Sequence, residues 1–192
     1  YARRMNLQII LSQHDFRCAA CQRNGSCSLQ KICADMNIND VPFQQDYEKS
    51  EWDQSFPLIR NAGKCIKCMR CVQICDKVQS LNIWDIVNTG KRTSVGVSKM
   101  RKIAESDCSL CGQCITHCPT GALRERDDVR KVLDAVHDPQ KIVVAQIAPA
   151  VRASWGEGLA LSDGMATEKR LAAAARALGI DYVFDTNFSA DL

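Results

Sequence analysis

The sequence predicts an α+β fold: two cysteine-rich modules, then an incomplete α/β (β-α-β) segment. Three observations carry this. The spacing C-x2-C-x2-C-x3-C occurs twice, offset by 43 residues. Short stretches with helical period flank these motifs. From residue 141 onward the pattern changes to apolar run, capped helix, apolar run, which is the signature of a β-α-β unit.

The 192 residues are 46% hydrophobic and 24% charged, a globular composition that excludes long disorder, collagen and coiled coil. A net charge of +3 and an aromatic content of 6% speak against a nucleic-acid partner. No apolar run approaches the ~18 residues of a membrane span. The opening YARRMNLQIIL has too short an apolar run for a signal peptide. Twelve cysteines in tight C-x2-C steps read as metal clamps, not as the long-range staples of a secreted scaffold. The expected location is therefore cytoplasmic.

Residues 2–13 read as a helix with Leu7, Ile10 and Leu11 on one face. A loop rich in Cys, Asn and Gly runs to Cys27, and 28–38 is a second short helix. Residues 39–61 read as a connector pinned by Phe43, Tyr47, Trp52 and Phe56. Between the two motifs, 80–87 and 92–97 look like strands of a hairpin turning at Asn88-Thr89-Gly90. Residues 127–139 form a helix with Val129, Val132, Leu133 and Val136 on one face, ended by Asp138-Pro139. In the tail, 141–147 is a buried-strand pattern and Pro149 opens a helix. Thr167 caps and Gly179 ends a helix over 167–179, and 181–186 is strand-like. Two parallel strands leave faces and edges uncovered, so the expectation is a segment that stops partway into an α/β domain. The division expected is 1–61, 62–126 and 127–192.

The repeated motif is Cys65, Cys68, Cys71, Cys75 and Cys108, Cys111, Cys114, Cys118. Three closely spaced thiolates wrap one cubane, and the fourth, further along a helix, reaches the other cluster. This assigns Cys65, Cys68, Cys71 and Cys118 to one [4Fe–4S] cluster, and Cys108, Cys111, Cys114 and Cys75 to a second. Cys118-Pro119 completes the bacterial ferredoxin form, whereas Asp76 stands in place of proline in the first copy. The N-terminal set is His14-x3-Cys18-x2-Cys21-x5-Cys27. Its spacing fits zinc held by three thiolates and an imidazole, or a His-ligated cubane, and leaves both open. Eleven cysteines and His14 make the twelve ligands that three cubanes require, which leaves Cys33 as a small buried residue.

The order His14-x3-Cys18-x2-Cys21-x5-Cys27 followed by SLQ, then the double motif, resembles the accessory-cluster region of [FeFe]-hydrogenase catalytic subunits. A related N-terminal arrangement occurs in the large iron–sulfur subunit of respiratory complex I and in NAD-linked formate dehydrogenases. KIVVAQIAPAVRASWGEG and LGIDYVFDTNFSADL resemble the opening of the hydrogenase active-site domain. The resemblance implies a His-ligated [4Fe–4S] module, a two-[4Fe–4S] ferredoxin-like module and the start of an active-site domain. It implies three [4Fe–4S] clusters, with His14, Cys18, Cys21 and Cys27 holding the first. It also implies an electron relay to an H-cluster that evolves or consumes H2. The partner would be ferredoxin or a flavin/NAD(P)H-linked redox subunit, in a multi-subunit complex. The family's H-cluster cysteines lie downstream of the matching segment and no cysteine follows Cys118, so the H-cluster is expected only in a longer parent chain. A neutral imidazole ligand makes electron addition easier, so the His14 site is expected above its all-Cys neighbours in potential.

Other residues carry little chemistry. His117 reads as solvent-facing and His137 as favouring a helix C-terminus. No G-x-G-x-x-G occurs. Lys91, Arg92, Lys99, Arg101 and Lys102 cluster around the hairpin; an ordinary solvated face is the favoured reading, and steering of an acidic redox partner the alternative.

Overall fold

The computed structural model describes residues 1–162 and 164–187. Residues 188–192, the end of the tail resemblance, lie outside the described residues. The chain divides into two compact units, Tyr1–Arg126 and Asp127–Leu192.

The first unit opens with α1 (Ala2–Ser12), whose buried positions are Leu7, Leu11 and Ser12. Ile10, expected on that face, is 38% exposed. Positions 7 and 11 lie one above the other, whereas position 10 falls about 100° from position 11 around the helix. The second helix, α2 (Ser28–Asp35), is shorter than expected. Asn37 turns to φ +53°, and the Ile38 and Asn37 amides donate to the Cys33 and Ala34 carbonyls, both at 3.0 Å. That Schellman closure ends the helix and folds Ile38 back onto it. Leu7, Leu11, Leu29 and Ile38 form one small core, against which Cys27, Cys33 and Ile66 pack.

Two antiparallel strand pairs frame the double motif. β1 (Leu58–Arg60) precedes the first motif and pairs with β4 (Leu123–Glu125), which follows the second. The sequence reading had neither strand. Three residues each are too few for a period to register, and β1 sits inside the segment read as a connector. β2 (Trp84–Val87) pairs with β3 (Ser94–Val97) between the motifs. The connection between them spans 88–93 and contains a helical turn at Gly90–Arg92, so the expected three-residue loop is not what forms. Asn88 and Gly90 both take left-handed φ, but pairing begins only at Val87 and Ser94. The main core joins Leu58, Ile83, Trp84, Val95, Val97, Ile103 and Leu123 with Cys75, Cys114 and Cys118. Of the connector aromatics, Trp52 and Phe56 pack on this core, and Trp52 stacks on Trp84 at 5.9 Å. Phe43 is 41% exposed and pins nothing. The Tyr47 ring lies where a side chain at Gly63 would be, 2.8 Å from a Cβ built there, so position 63 demands glycine.

The second unit contains α5 (Val129–Val136), β5 (Val144–Ile147), α6 (Pro149–Ser154), α7 (Glu168–Ala177) and β6 (Tyr182–Asp185). β5 and β6 pair in parallel, with Val144 opposite Tyr182. The Thr167 hydroxyl accepts from the Arg170 amide, and Gly179 at φ +98° closes α7. The two amides after α7 return to Arg176 and Ala175, the same closure that ends α2. His137 bonds the Leu133 carbonyl at 2.7 Å, at the C-terminal end of α5. Neither α5 nor α7 has a buried residue, and Val144, Tyr182 and Phe184 are 57%, 55% and 43% exposed.

So little apolar burial offsets the ordering entropy of the second unit only weakly. Limited proteolysis of the 192-residue chain should first cut within 127–187 and leave 1–126 whole, because the least stable unit opens most often. Equal resistance of both units, read by mass spectrometry, would contradict this.

Candidate metal centres

Each repeat of the double motif is a loop wound by two left-handed residues. Lys67 and Met69 do this in the first, at φ +56° and +59°; Leu110 and Gly112 do it at the equivalent positions of the second, at +56° and +72°. Three of the four carry side chains, for which this conformation is unfavourable. Such turns gather successive backbone N–H groups into a concavity that attracts anions. A helix follows each loop: α3 (Arg70–Gln73) and α4 (Gln113–Thr116). After α3 the backbone widens into a π-helical turn, Ile74–Val78, that carries Cys75. After α4 the helix stops, because Pro119 offers no N–H and its ring restricts Cys118. Asp76 imposes no such stop.

The strand pairs then place the fourth thiols. β1 leads into Cys65 and β4 leads out of Cys118, so their pairing sets those ends side by side. The Asn61 amide donates to the Ala122 carbonyl at 2.8 Å, and the Thr120 hydroxyl to the Lys64 carbonyl at 2.7 Å. The β2–β3 hairpin does the same for Cys75 and Cys108, and the Ile83 amide lies 3.4 Å from the Cys75 Sγ. Cys65, Cys68, Cys71 and Cys118 consequently line one tight cavity of about 20 Å³. Cys75, Cys108, Cys111 and Cys114 line another of about 270 Å³. Trp84 forms part of the wall of both.

Burial pushes the Cys71 thiol up to about 12, reinforced by Cys65 and Cys68. Burial likewise pushes Cys114 up to about 11, a Trp84 hydrogen bond opposing and Cys108, Cys111 and Cys75 adding to the rise. Cys65 is raised for the same leading reason. Four thiols around one space, one of each set exposed and the others buried or half-buried, do not all ionise readily without a cation to offset them.

A third cavity, about 430 Å³, is lined by His14, Cys18, Cys21, Cys27 and Cys33. His14 follows the end of α1, its amide bonded to the Leu11 carbonyl at 3.0 Å. Its ring is 6% exposed, and Nδ1 is buried without a hydrogen-bond partner. Burial and the nearby Lys64 cation lower its pKa, so the ring is neutral at pH 7, the form that binds metal. Cys33 is pushed up by burial and by Cys18 and Cys27. The sequence assigned Cys33 to the core, whereas it also faces this cavity. Among the described residues no three His, Cys, Asp or Glu side chains converge tightly enough to hold a single ion. In a cubane each iron takes one protein donor, so donors ringing a cavity are the arrangement required. For the tight cavity the fit rests on its four thiols and the two left-handed turns.

Outside these cavities, His117 is exposed and bonds the Gln113 carbonyl at 2.9 Å. Of the basic hairpin residues, Lys91 pairs with Asp46 at 2.6 Å, an exposed contact of little energetic weight. No helix among the described residues is long and apolar enough to cross a membrane.

Three stretches of the chain match known families. Residues 3–42 match the NADH-ubiquinone oxidoreductase-G iron-sulfur binding region, residues 64–122 the 4Fe-4S dicluster domain, and residues 141–192 the iron only hydrogenase large subunit, C-terminal domain. The chain is 40% identical over 195 residues to NADP-reducing hydrogenase subunit HndD of Solidesulfovibrio fructosivorans, covering 100% of this chain and 33% of that one. It is 33% identical over 186 residues to Iron hydrogenase 1 of Clostridium pasteurianum, covering 95% of this chain and 32% of that one. It therefore spans about a third of the length of these relatives. Among solved structures, a chain of the NAD+-reducing [NiFe]-hydrogenase in the H2-reduced state superposes with a TM-score of 0.60 at 21% identity, over 65% of this chain and 54% of that one. At that identity the likeness is one of fold. The chain thus contains a ferredoxin-like 4Fe–4S dicluster domain and a further iron–sulfur binding region, and its relatives include both hydrogenases and NADH-quinone oxidoreductase subunits.

Thiols must lose their protons to bind iron, so loading opposes the raised Cys65, Cys71 and Cys114 pKa values. Iron bound at limiting iron and sulfide should rise between about pH 7 and pH 9, with proton release. The iron-free fold has the opposite sign. The contribution of its raised thiols is complete below the unfolded thiol value of about 8.5 and is lost as pH rises through about 11 to 12. Chemical denaturation of loaded and iron-free chains across this range measures both.

With His14 as the expected fourth donor of this set, Cys33→Ser should leave bound iron and the reduced-state EPR spectrum unchanged. Loss of one cluster would make Cys33 the ligand.

Proposed function

We propose that this chain is the iron–sulfur electron relay of an [FeFe]-hydrogenase catalytic subunit. It would carry electrons between an external donor or acceptor and an H-cluster for 2H+ + 2e− ⇌ H2. Three [4Fe–4S] clusters are proposed. His14, Cys18, Cys21 and Cys27 hold the first; Cys65, Cys68, Cys71 and Cys118 the second; Cys75, Cys108, Cys111 and Cys114 the third. The clusters, when bound, supply one-electron storage. The protein's residues hold them, exclude water and set the surrounding charge.

One observation carries the reading: each of two cavities is ringed by three thiols of one motif and the fourth thiol of the other. Tetrahedral zinc at a C-x2-C knuckle does not need that exchange. The buried, neutral His14 ring, whose Nδ1 has no hydrogen-bond partner, supports a cluster in the third cavity. The match of residues 141–192 to an iron-only hydrogenase domain favours a hydrogenase over a complex I or formate dehydrogenase relay. No cysteine follows Cys118, so the H-cluster would be held by other parts of the protein. We further propose the division 1–61, 62–126 and 127–192 as His-ligated module, two-cluster module and start of the active-site domain. The electron partner would be ferredoxin or a flavin/NAD(P)H-linked subunit within a complex, in the reducing environment of the cytoplasm.

Anaerobic reconstitution should load about 12 iron per chain, and dithionite should bleach the brown colour. His14→Ala should lower iron towards about 8, or alter the EPR signal of that cluster alone. Eight iron plus one zinc in the unsubstituted chain would overturn the His14 assignment. H2 evolution from reduced methyl viologen should stay at background, because all three proposed clusters are fully ligated and no metal position is open to substrate.

A further inference from the structure

Lys64 precedes Cys65 and is 8% exposed. A buried ammonium needs an anionic partner and hydrogen-bond acceptors. Its Nζ donates to the Asp15 main-chain oxygen at 2.9 Å and lies 3.7 Å from Asp15 Oδ2. Asp15, 4% exposed, is the residue after His14, and its amide donates to the Gly63 carbonyl at 2.7 Å. Arg17 clamps the same carboxylate at 2.9 and 2.8 Å.

The position of this pair gives it a consequence. Lys64 lines the cavity of His14, Cys18, Cys21 and Cys27. Its carbonyl accepts from Thr120, and Thr120 and Cys65 line the neighbouring cavity. The cation and its carboxylate therefore lie at the seam between two donor sets. Neither residue lines the cavity of Cys75, Cys108, Cys111 and Cys114.

We propose that the buried Lys64–Asp15 pair sets the reduction potential of the cluster held by His14, Cys18, Cys21 and Cys27, Lys64 raising it and Asp15 lowering it. The inference rests on the proposal that this set holds a cluster. Reduction adds one electron and makes or breaks no bond, so its free energy depends directly on fixed charge nearby. A cation in a poorly solvated setting stabilises the added negative charge, and a carboxylate opposes it. Both are positioning residues here, acting through space on the group that His14 holds.

EPR-monitored redox titration of the cluster-loaded chain tests this. Lys64→Met should lower the reduced-to-oxidised ratio of the His14-set cluster at fixed potential about tenfold, a 59 mV downward shift for a one-electron couple. Asp15→Asn should shift it in the opposite direction. Lys64→Arg should change it less than about threefold, with the cluster of Cys75 and Cys108 as unshifted internal reference. Opposite signs from the two neutralising variants are not expected of a merely structural role. Shifts of the same sign, or no shift at full iron content, would overturn the proposal. If Lys64→Met loses iron, Asp15→Asn decides: an upward shift supports the pair's role, and its absence refutes it. Eight iron in the unsubstituted chain would instead refute the cluster reading, and this inference with it.

Discussion

The pairing of β1 with β4 is the contact on which the first unit depends. It is three residues long, yet it joins the approach to the first cysteine motif to the exit from the second. Without it Cys118 has no route to Cys65, Cys68 and Cys71. The β2–β3 hairpin makes the matching connection on the other side, between Cys75 and Cys108. The first cavity is thus closed by a contact distant in sequence and the second by a hairpin between the motifs, and each set of four thiols is complete only when both motifs are folded together. Iron ligation and folding are coupled by construction. A cluster would add to this unit a stabilisation that its modest core, interrupted by cysteines, supplies only in part.

Charge is the second organising constraint. Burial, and after it the neighbouring thiols, raise Cys71 and Cys114. The backbone answers with N–H concavities formed by left-handed residues, three of them bearing side chains. The strain is tolerated because flanking strands and helices determine where the loop begins and ends. At the His14 cavity the balance is different. A neutral ring replaces one thiol, and Lys64, Asp15 and Arg17 place fixed charges beside it. The three donor sets thus sit in three electrostatic surroundings, a condition under which similar clusters acquire different potentials.

The second unit follows other rules. Its strands pair in parallel and α7 is capped at both ends, but its apolar side chains remain largely exposed. Capping and propensity are local and suffice to shape elements. Burial is collective and is what stabilises them. The same contrast separates the two parts functionally, since every proposed ligand lies within 1–126.

The sequence by itself determined the chemistry and the local elements. The repeated cysteine spacing predicted the two sets of four thiols that line the two cavities, because that spacing reports how far a single loop can wrap. Thr167, Gly179 and Pro149 marked helix boundaries, because capping and proline geometry are properties of a few adjacent residues. What only the tertiary structure decided were the features without a local signal. β1 and β4 are too short to show a period, and their partner lies more than sixty residues away. The end of α2 at Asn37 depended on Ile38 finding a core to fold onto. The exposure of Ile10 and Phe43 depended on where a surface met its neighbour. Lys64 reads in sequence as one more surface lysine. Its burial against Asp15 arises because two segments almost fifty residues apart pack against each other, and no pattern within either one encodes that meeting.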